Sequence, residues 1–433
     1  MEKFVIRGGA ALSGEITAAG NKNAALPILA ACLLTDEELV LTNVPRIRDT
    51  ETQIAVLEQL GVKAAWTGEN ELRLQADSVT QTTPDEALSA KIRASFLLAG
   101  PLLARFGEAR MPPPGGDFIG RRRLDPHLDA FMDMGAEVSG DRWIEIKAPA
   151  DGLKPCAIFM DEPSVMGTEN ALMAAALTEG PTTIANAACE PHVQDLARLL
   201  VKMGAQIDGI GSNVMTVHGR DKLGGAEHRI CPDHIEVASF MALAAATGGE
   251  LRIHDAEPDD LITIRRQFRR LGLHSETEGS TVVVPPNQDL AVRDDIGDAI
   301  PKIDDGPWPA FPADLTSIAL ALATQAKGTI LIFEKMFENR LFFVDKLVAM
   351  GARITLCDPH RAIVSGPSRL HGERLESPDI RAGMAMLIAA LCAEGTSEIG
   401  NIVQIDRGYE RIDERLRNLG ATIERVAVEP VAA

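Results

Sequence analysis

The chain has 433 residues, 45% of them hydrophobic and 24% charged. That balance excludes a disordered, collagen-like or coiled-coil protein and suits two or three packed domains. With 43 basic against 62 acidic side chains the formal charge is −19, so nucleic acid and anionic membranes are repelled except at a local basic patch, and an anionic small molecule has to be held by a few concentrated Arg and Lys side chains.

From the N-terminus, Met1 to Gly9 carries no apolar signal core, and the longest apolar stretches, such as Ala24 to Leu34, fall short of the roughly 18 residues that a spanning helix needs. The six cysteines, at 32, 156, 189, 231, 357 and 392, form no CxxC pair. No zinc site or disulfide framework is indicated. The expectation is a soluble cytoplasmic protein in a reducing compartment.

An internal repeat then organises the chain. LEQLGV, FMDMGA, LVKMGA, FRRLGL, LVAMGA and LRNLGA place glycines at 61, 135, 204, 272, 351 and 420. Six units of about 72 residues fill the sequence. Each glycine suits the residue just past a helix, where positive φ is needed. Ala- and Leu-rich segments keep the same rhythm, from LPILAACLL through SFMALAAATGG to AMLIAALCAEG. They are apolar on all sides, which predicts buried helices, each followed by a strand. The unit reads β-α-β-α-β-β with helices packed inside and sheets outside. One core of this size exceeds the usual limit, so two domains of three units fit better, and a cleft between two domains is a natural ligand site.

Four motifs carry candidate chemistry. Gly20-Asn21-Lys22-Asn23 leads into the first buried helix, where free N–H groups and a Lys suit phosphate or carboxylate; the plainer reading is that Asn23 caps the helix and Lys22 is solvated. Pro112 to Arg123 (PPPGGDFIGRRR) is a long loop with three consecutive Arg, a concentrated anion site with Asp117 as proton donor or acceptor, or else a solvated mobile loop. Asp314, after Trp308-Pro309-Ala310-Phe311-Pro312, reads as a helix cap or a base. Phe337 to Arg340, Asp379 to Arg381 and Asp406 to Arg411 each set an Arg beside an acid, which alone reads as structural ion pairing. Arg265 to Arg270 reads as a solvated helix face. HExxH, GxSxG and Walker A patterns are missing, and no metal or organic cofactor is indicated.

Together these motifs resemble the enolpyruvyl transferases, and among them the branch acting on UDP-N-acetylglucosamine. The resemblance runs from Phe4 to about Val426 through GNKNAALPI, RASFLLAGPLLARFG, PGGDFIGRR, SVMGTENALMAAAL, FPADL, MFENR and IDRGYERI. It implies a two-domain inside-out α/β barrel of six β-α-β-α-β-β repeats. The domains would be 22–231, carrying the loop with Asp117, and 1–21 plus 232–433, with the active site in the cleft between them. It implies the substrates phosphoenolpyruvate and UDP-N-acetylglucosamine, addition of the sugar 3′-hydroxyl to C2 with protonation of C3, then loss of phosphate and a proton, as the first committed step of peptidoglycan synthesis. Matched residue by residue, Lys22, Arg93, Arg122 and Arg407 would clamp phosphoenolpyruvate, with Asn23 beside them. Asp314 would be the hydroxyl-side carboxylate, and Asp117 would transfer the C3 proton. Asp379, Arg381, Arg340 and Phe337 would lie by the reacting centre. Asp125, His127, Ser164 and Val165 would hold the uridine nucleotide, with Glu190 and Asp233 bordering the site.

Departures from the family are informative. Asp117 stands where most members carry the Cys that the epoxide fosfomycin attacks, which implies insensitivity to it. The ordinary pKa of Asp is about 3.9 against about 8.5 for Cys, so Asp117 needs an altered environment to serve as an acid near neutrality. Glu162, Cys189 and His234 replace family cations, which leaves a modified UDP-sugar acceptor or a non-catalytic UDP-sugar-binding paralogue as alternatives, and the shikimate 3-phosphate sibling as a further one. Asp294 to Trp308 is longer than in common members.

Overall fold

The computed structural model describes residues 2–428. They form two compact units: Met1–Ala19, Asp117–Arg121 and Pro232–Ala433 in one, Gly20–Gly116 and Arg122–Cys231 in the other. Each unit has its own hydrophobic core, as expected when a chain outgrows a single core. The loop expected to lie wholly within 22–231 is shared out. Its residues Asp117–Arg121 belong with the 232–433 segment, because Arg121 N–H donates to Glu338 Oε2 (3.1 Å), Asn339 N–H donates to the Ile119 carbonyl (3.0 Å), and Asp117 pairs with Arg407.

The repeat is clearest in 302–366. Strand Lys302–Asp304 leads through helix Thr316–Ala323 to strand Gly328–Phe333, then through helix Val344–Ala349 to the hairpin Ile354–Asp358 and Arg361–Gly366. The first two strands pair in parallel, Ile303 opposite Ile332; the hairpin's second strand runs antiparallel, Leu331 opposite Ile363. Alternation sets one sheet face on the helices and the other toward water, so Ala362 and Val364 are buried while their neighbours are not. The six apolar segments each form a helix in the middle of a unit: Lys22–Ala31, Ala99–Phe106, Val165–Ala176, His234–Thr247, Thr316–Ala323 and Ile380–Cys392. Their alanines let neighbouring helices approach closely, and every residue from Ile380 to Leu391 is buried.

Gly61, Gly135, Gly204, Gly272, Gly351 and Gly420 all sit just past a helix with φ between 81° and 117°, the left-handed region in which a Cβ is disfavoured. Each repeat does not use only its own strands, however. Ala226–Arg229 pairs in parallel with Leu39–Thr42, Gly14–Thr17 with Leu251–His254, and Glu2–Arg7 lies between Thr396–Gly400 and Thr422–Ala427. The second repeat has a three-stranded sheet, Glu108–Met111, Ile144–Lys147 and Glu137–Ser139. A short helix, Glu86–Ser89, occupies the preceding stretch, and Arg110 N–H donates to the Thr82 carbonyl at 3.1 Å. No described helix is long and apolar enough to cross a membrane.

Candidate active site

In the unit built on 232–433, the candidate side chains Asp233, Asp314, Asp379 and Arg381 stand at the entrances to buried helices. Asp314 lies in the single turn Ala313–Leu315 that opens into Thr316–Ala323. It does not cap that helix. Its Oδ1 accepts from Arg340 Nη2 (2.8 Å) and its Oδ2 from Arg381 Nε (3.0 Å). Both guanidiniums are almost fully buried, whereas Asp314 keeps 27% of its side chain exposed. One carboxylate with an open edge therefore faces two buried cations. Arg381 also donates to Tyr409 Oη (3.2 Å) and lies over its ring. Burial opposes its charge, but Asp314 and Tyr409 push its pKa up. Arg340 is cornered in the same way between burial and Asp314, above the Phe337 ring.

Asp379 caps Ile380–Cys392, accepting from the N–H groups of Arg381 (2.8 Å) and Ala382 (2.9 Å). Burial lifts its pKa and the charge of Asp117 adds to this; Arg340 and the two N–H groups oppose. Asp117 reaches the same neighbourhood through its ion pair with Arg407, whose Nη1 also donates to Gln404. Of the acids beside an Arg in sequence, Asp379 is used as a helix cap while Arg340 and Arg381 both pair with Asp314, Asp406 takes a two-bond grip from Arg425 (2.8 and 3.0 Å), and Glu410 pairs with its neighbour Arg411 (3.6 Å). Asp233 caps His234–Thr247, and His234 packs edge-on against Trp308.

In the other unit Asn21, not Asn23, caps Lys22–Ala31, its Oδ1 accepting from Ala24 N–H at 3.1 Å. Lys22 is not solvated; its Nζ lies 3.0 Å from Asp49 with 12% of the side chain exposed. Asn23 follows it on the same first turn, half-buried. Arg93 opens the turn Arg93–Leu98 and donates Nη2 to the carbonyls of Arg122 (2.6 Å) and Arg123 (3.2 Å). Burial, then the charge of Arg122, lowers its pKa to about 10. Gly116 makes this approach possible: at φ +105°, an added Cβ would meet Arg93 Cβ at 2.9 Å and Arg122 Nη2 at 3.0 Å. Lys22, Arg93 and Arg122 are therefore three cations of one unit, two of them linked through the loop backbone.

The residues matched to a nucleotide separate into two groups. Asp125 pairs with Arg123 (3.2 Å), which also meets Asp161 (2.8 Å) and Glu162 (4.0 Å), all at the surface. Ser164 caps Val165–Ala176, with Val165 its first residue. His127 is not brought to the surface with them. It is buried edge-on to Phe96, and burial followed by the charge of Arg93 depresses its pKa to about 3. Glu190 precedes helix Pro191–Lys202, with Cys189 buried before it. Sequence reasoning omitted Asp49, Gln404 and Tyr409 as site residues; Tyr409 is the one tyrosine of the chain, and that was the available signal.

A two-unit fold with acids and arginines at the heads of buried helices is that of the carboxyvinyl transferases, and the chain belongs to the EPSP synthase (3-phosphoshikimate 1-carboxyvinyltransferase) family, whose model matches residues 6–416. It is 58% identical over 424 residues to the UDP-N-acetylglucosamine 1-carboxyvinyltransferase of Bradyrhizobium diazoefficiens, covering 98% of each chain. It is 54% identical to that of Treponema denticola, covering 98% of this chain and 99% of the relative. Among solved structures it superposes on the enolpyruvyl transferase NikO from Streptomyces tendae with a TM-score of 0.87 at 25% identity, covering 99% of both chains. The EPSP synthase of Acinetobacter baumannii shares the fold, with a TM-score of 0.74 at 18% identity over 99% of this chain and all of that one.

Proposed function

We propose that the protein transfers the enolpyruvyl group of phosphoenolpyruvate to the 3′-hydroxyl of UDP-N-acetylglucosamine with release of phosphate. The observation that carries this reading is Asp314, an open-edged carboxylate fixed by Arg340 and Arg381, in a chain similar end to end to enzymes of that name. Asp314 accepts the hydroxyl proton as C2 is attacked. Lys22, Arg93, Arg122 and Arg407 neutralise the phosphate and carboxylate of phosphoenolpyruvate, with Asn23 beside them. Once the substrate has displaced it from Arg407, Asp117 takes up a proton from solvent and delivers it to C3; in the elimination a C3 proton returns to Asp117 as the C2–O bond to phosphate breaks. Asp379 and Phe337 border the reacting atoms; Asp125, Ser164, Val165, Glu190 and Asp233 border the acceptor, and His127 supports that wall from inside. In reactions of this kind, preorganised cations that stabilise developing charge supply most of the rate enhancement. No step calls on a metal. The reaction belongs in the cytoplasm, supplying peptidoglycan synthesis.

The test is phosphate release from phosphoenolpyruvate with UDP-N-acetylglucosamine, beside a shikimate 3-phosphate control. Release with the UDP-sugar alone supports the reading; release with shikimate 3-phosphate, or none with binding retained, sinks it. A second reading, transfer to a modified UDP-sugar, is favoured by one observation: Arg123 is surrounded by Asp125, Asp161 and Glu162.

A further inference from the structure

Behind Arg340 lies a carboxyl group that the reaction above does not use. Glu334 follows strand Gly328–Phe333 and is fully buried. Its Oε1 accepts from Phe337 N–H at 3.1 Å. Its Oε2 has no hydrogen-bond partner among the described residues and stands 3.8 Å from Arg340 Nε, which has none either. Nε and Nη2 of Arg340 thus meet two different acids, one bonded at 2.8 Å and one held just out of reach.

The groups around Glu334 are few. Asp305, buried after strand Lys302–Asp304, stands beside it and is itself held by the N–H groups of Lys335 and Met336. The Thr316 hydroxyl faces it from helix Thr316–Ala323. His360 Nδ1 meets the Glu334 carbonyl at 2.7 Å, and Lys335 turns away to Asp304. With Glu334 ionised, four buried or half-buried carboxylates (Asp305, Glu334, Asp314 and Asp379) oppose the two guanidiniums of Arg340 and Arg381. Burial first, and then Asp305, push the Glu334 pKa up to about 8 against the pull of Arg340, so the group changes charge near neutrality.

We propose that Glu334 is a positioning residue which, through Arg340, sets how firmly Asp314 is held. Protonated, Glu334 leaves Arg340 to Asp314. Ionised, it closes on Nε and shares the guanidinium, and Asp314 becomes a stronger base, because a carboxylate gripped by two full cations gives up basicity. This rests on the functional reading of Asp314 given above. The proton lost by Glu334 goes to solvent and no bond to substrate is involved.

The experiment is the pH profile of phosphate release for the parent, Glu334→Gln and Asp305→Asn. The parent is expected to gain activity as pH rises through about 8. Glu334→Gln is expected to lose that rise, matching the parent at pH 6.5 and falling about 3- to 10-fold below it at pH 9, the range that up to one unit of altered basicity produces. Asp305→Asn removes the like charge and is expected to move the rise to lower pH. A Glu334→Gln deficit equal at every pH, or an unmoved rise in Asp305→Asn, overturns the proposal. Carbon-13 NMR of glutamate-labelled protein, with Glu334→Gln to assign the signal, reads the titration without turnover. A midpoint below pH 6 overturns the proposal, whereas a midpoint above 7 in a protein that releases no phosphate fails the functional reading alone.

Discussion

The carboxylate of Asp117 is bound to the guanidinium of Arg407, 290 residues further along the chain, with both side chains largely buried. An Arg expected to hold an anionic substrate is therefore already holding an anion supplied by the protein. Replacing Asp117 by Cys removes that anion and places a nucleophilic sulfur where the family resemblance puts the target of fosfomycin. The parent is expected to stay unlabelled and active in the presence of the epoxide. Asp117→Cys is expected to be labelled covalently and inactivated, read by intact-protein mass spectrometry and phosphate release. Labelling of the parent at Asp117 contradicts the assignment.

Asp314→Asn tests the other carboxylate. Loss of a general base lowers kcat by about 10² to 10⁴. It also leaves Arg340 and Arg381 without their shared partner. Breaking a buried pair costs about 3–5 kcal/mol, and the partial exposure of Asp314 puts the cost at or below the bottom of that range. Steady-state kinetics and denaturant midpoints separate the two effects. Activity within threefold of the parent removes Asp314 from the reaction.

How much of this was legible beforehand depends on the kind of physics involved. The glycines from 61 to 420 could be read because positive φ past a helix selects glycine whatever the surroundings. The helices Lys22–Ala31 and Ile380–Cys392 could be read because being apolar on every side leaves no place but a core. Partners could not. Asn21 and Asn23 satisfy capping preferences alike, and only the backbone geometry selects Asn21. Lys22 with Asp49, and Arg381 with Tyr409, are chosen by packing between segments that share no local pattern. The exchanged strands Gly14–Thr17 and Ala226–Arg229 are four residues each, too short to announce which distant strand they join. The three-stranded second sheet departs from the repeat because Glu86–Ser89 turns helical behind its Asp85 cap.

His127 gives a sharper prediction. Asn170 Oδ1 accepts from Gly100 N–H (2.8 Å), so its amide nitrogen must be the donor to His127 Nδ1 at 2.8 Å. The ring is then neutral with its proton on Nε2. Its pKa is depressed to about 3, below the ordinary 6.5. A depressed histidine favours folding above its unfolded pKa, and that contribution is lost as pH falls from about 6.5 toward 3. Nitrogen-15 NMR is expected to show a neutral imidazole at pH 5. A charged ring at that pH would falsify the assignment.

Glu169 runs the other way. It is buried on helix Val165–Ala176, its Oε1 has no hydrogen-bond partner among the described residues, and burial, reinforced by the charge of Glu190, raises its pKa well above 4.5. The folded chain then holds a proton that the unfolded chain releases above about pH 4.5. A carboxyl group raised in this way contributes most below its unfolded pKa, and the contribution falls as pH climbs toward the folded value, by up to about 1.4 kcal/mol per pH unit. Glu169→Gln carries no titrating proton, so its stability relative to the parent is expected to grow from pH 5 to pH 8. Two domains make global unfolding a poor readout. Of the three tryptophans, Trp66 and Trp143 lie in the same unit as Glu169, and Trp308 in the other. Urea midpoints followed by fluorescence in a Trp308→Phe background therefore report that unit. A parent-to-variant difference that is constant with pH would show that Glu169 is ionised inside the fold, with a cation rather than a proton balancing its charge.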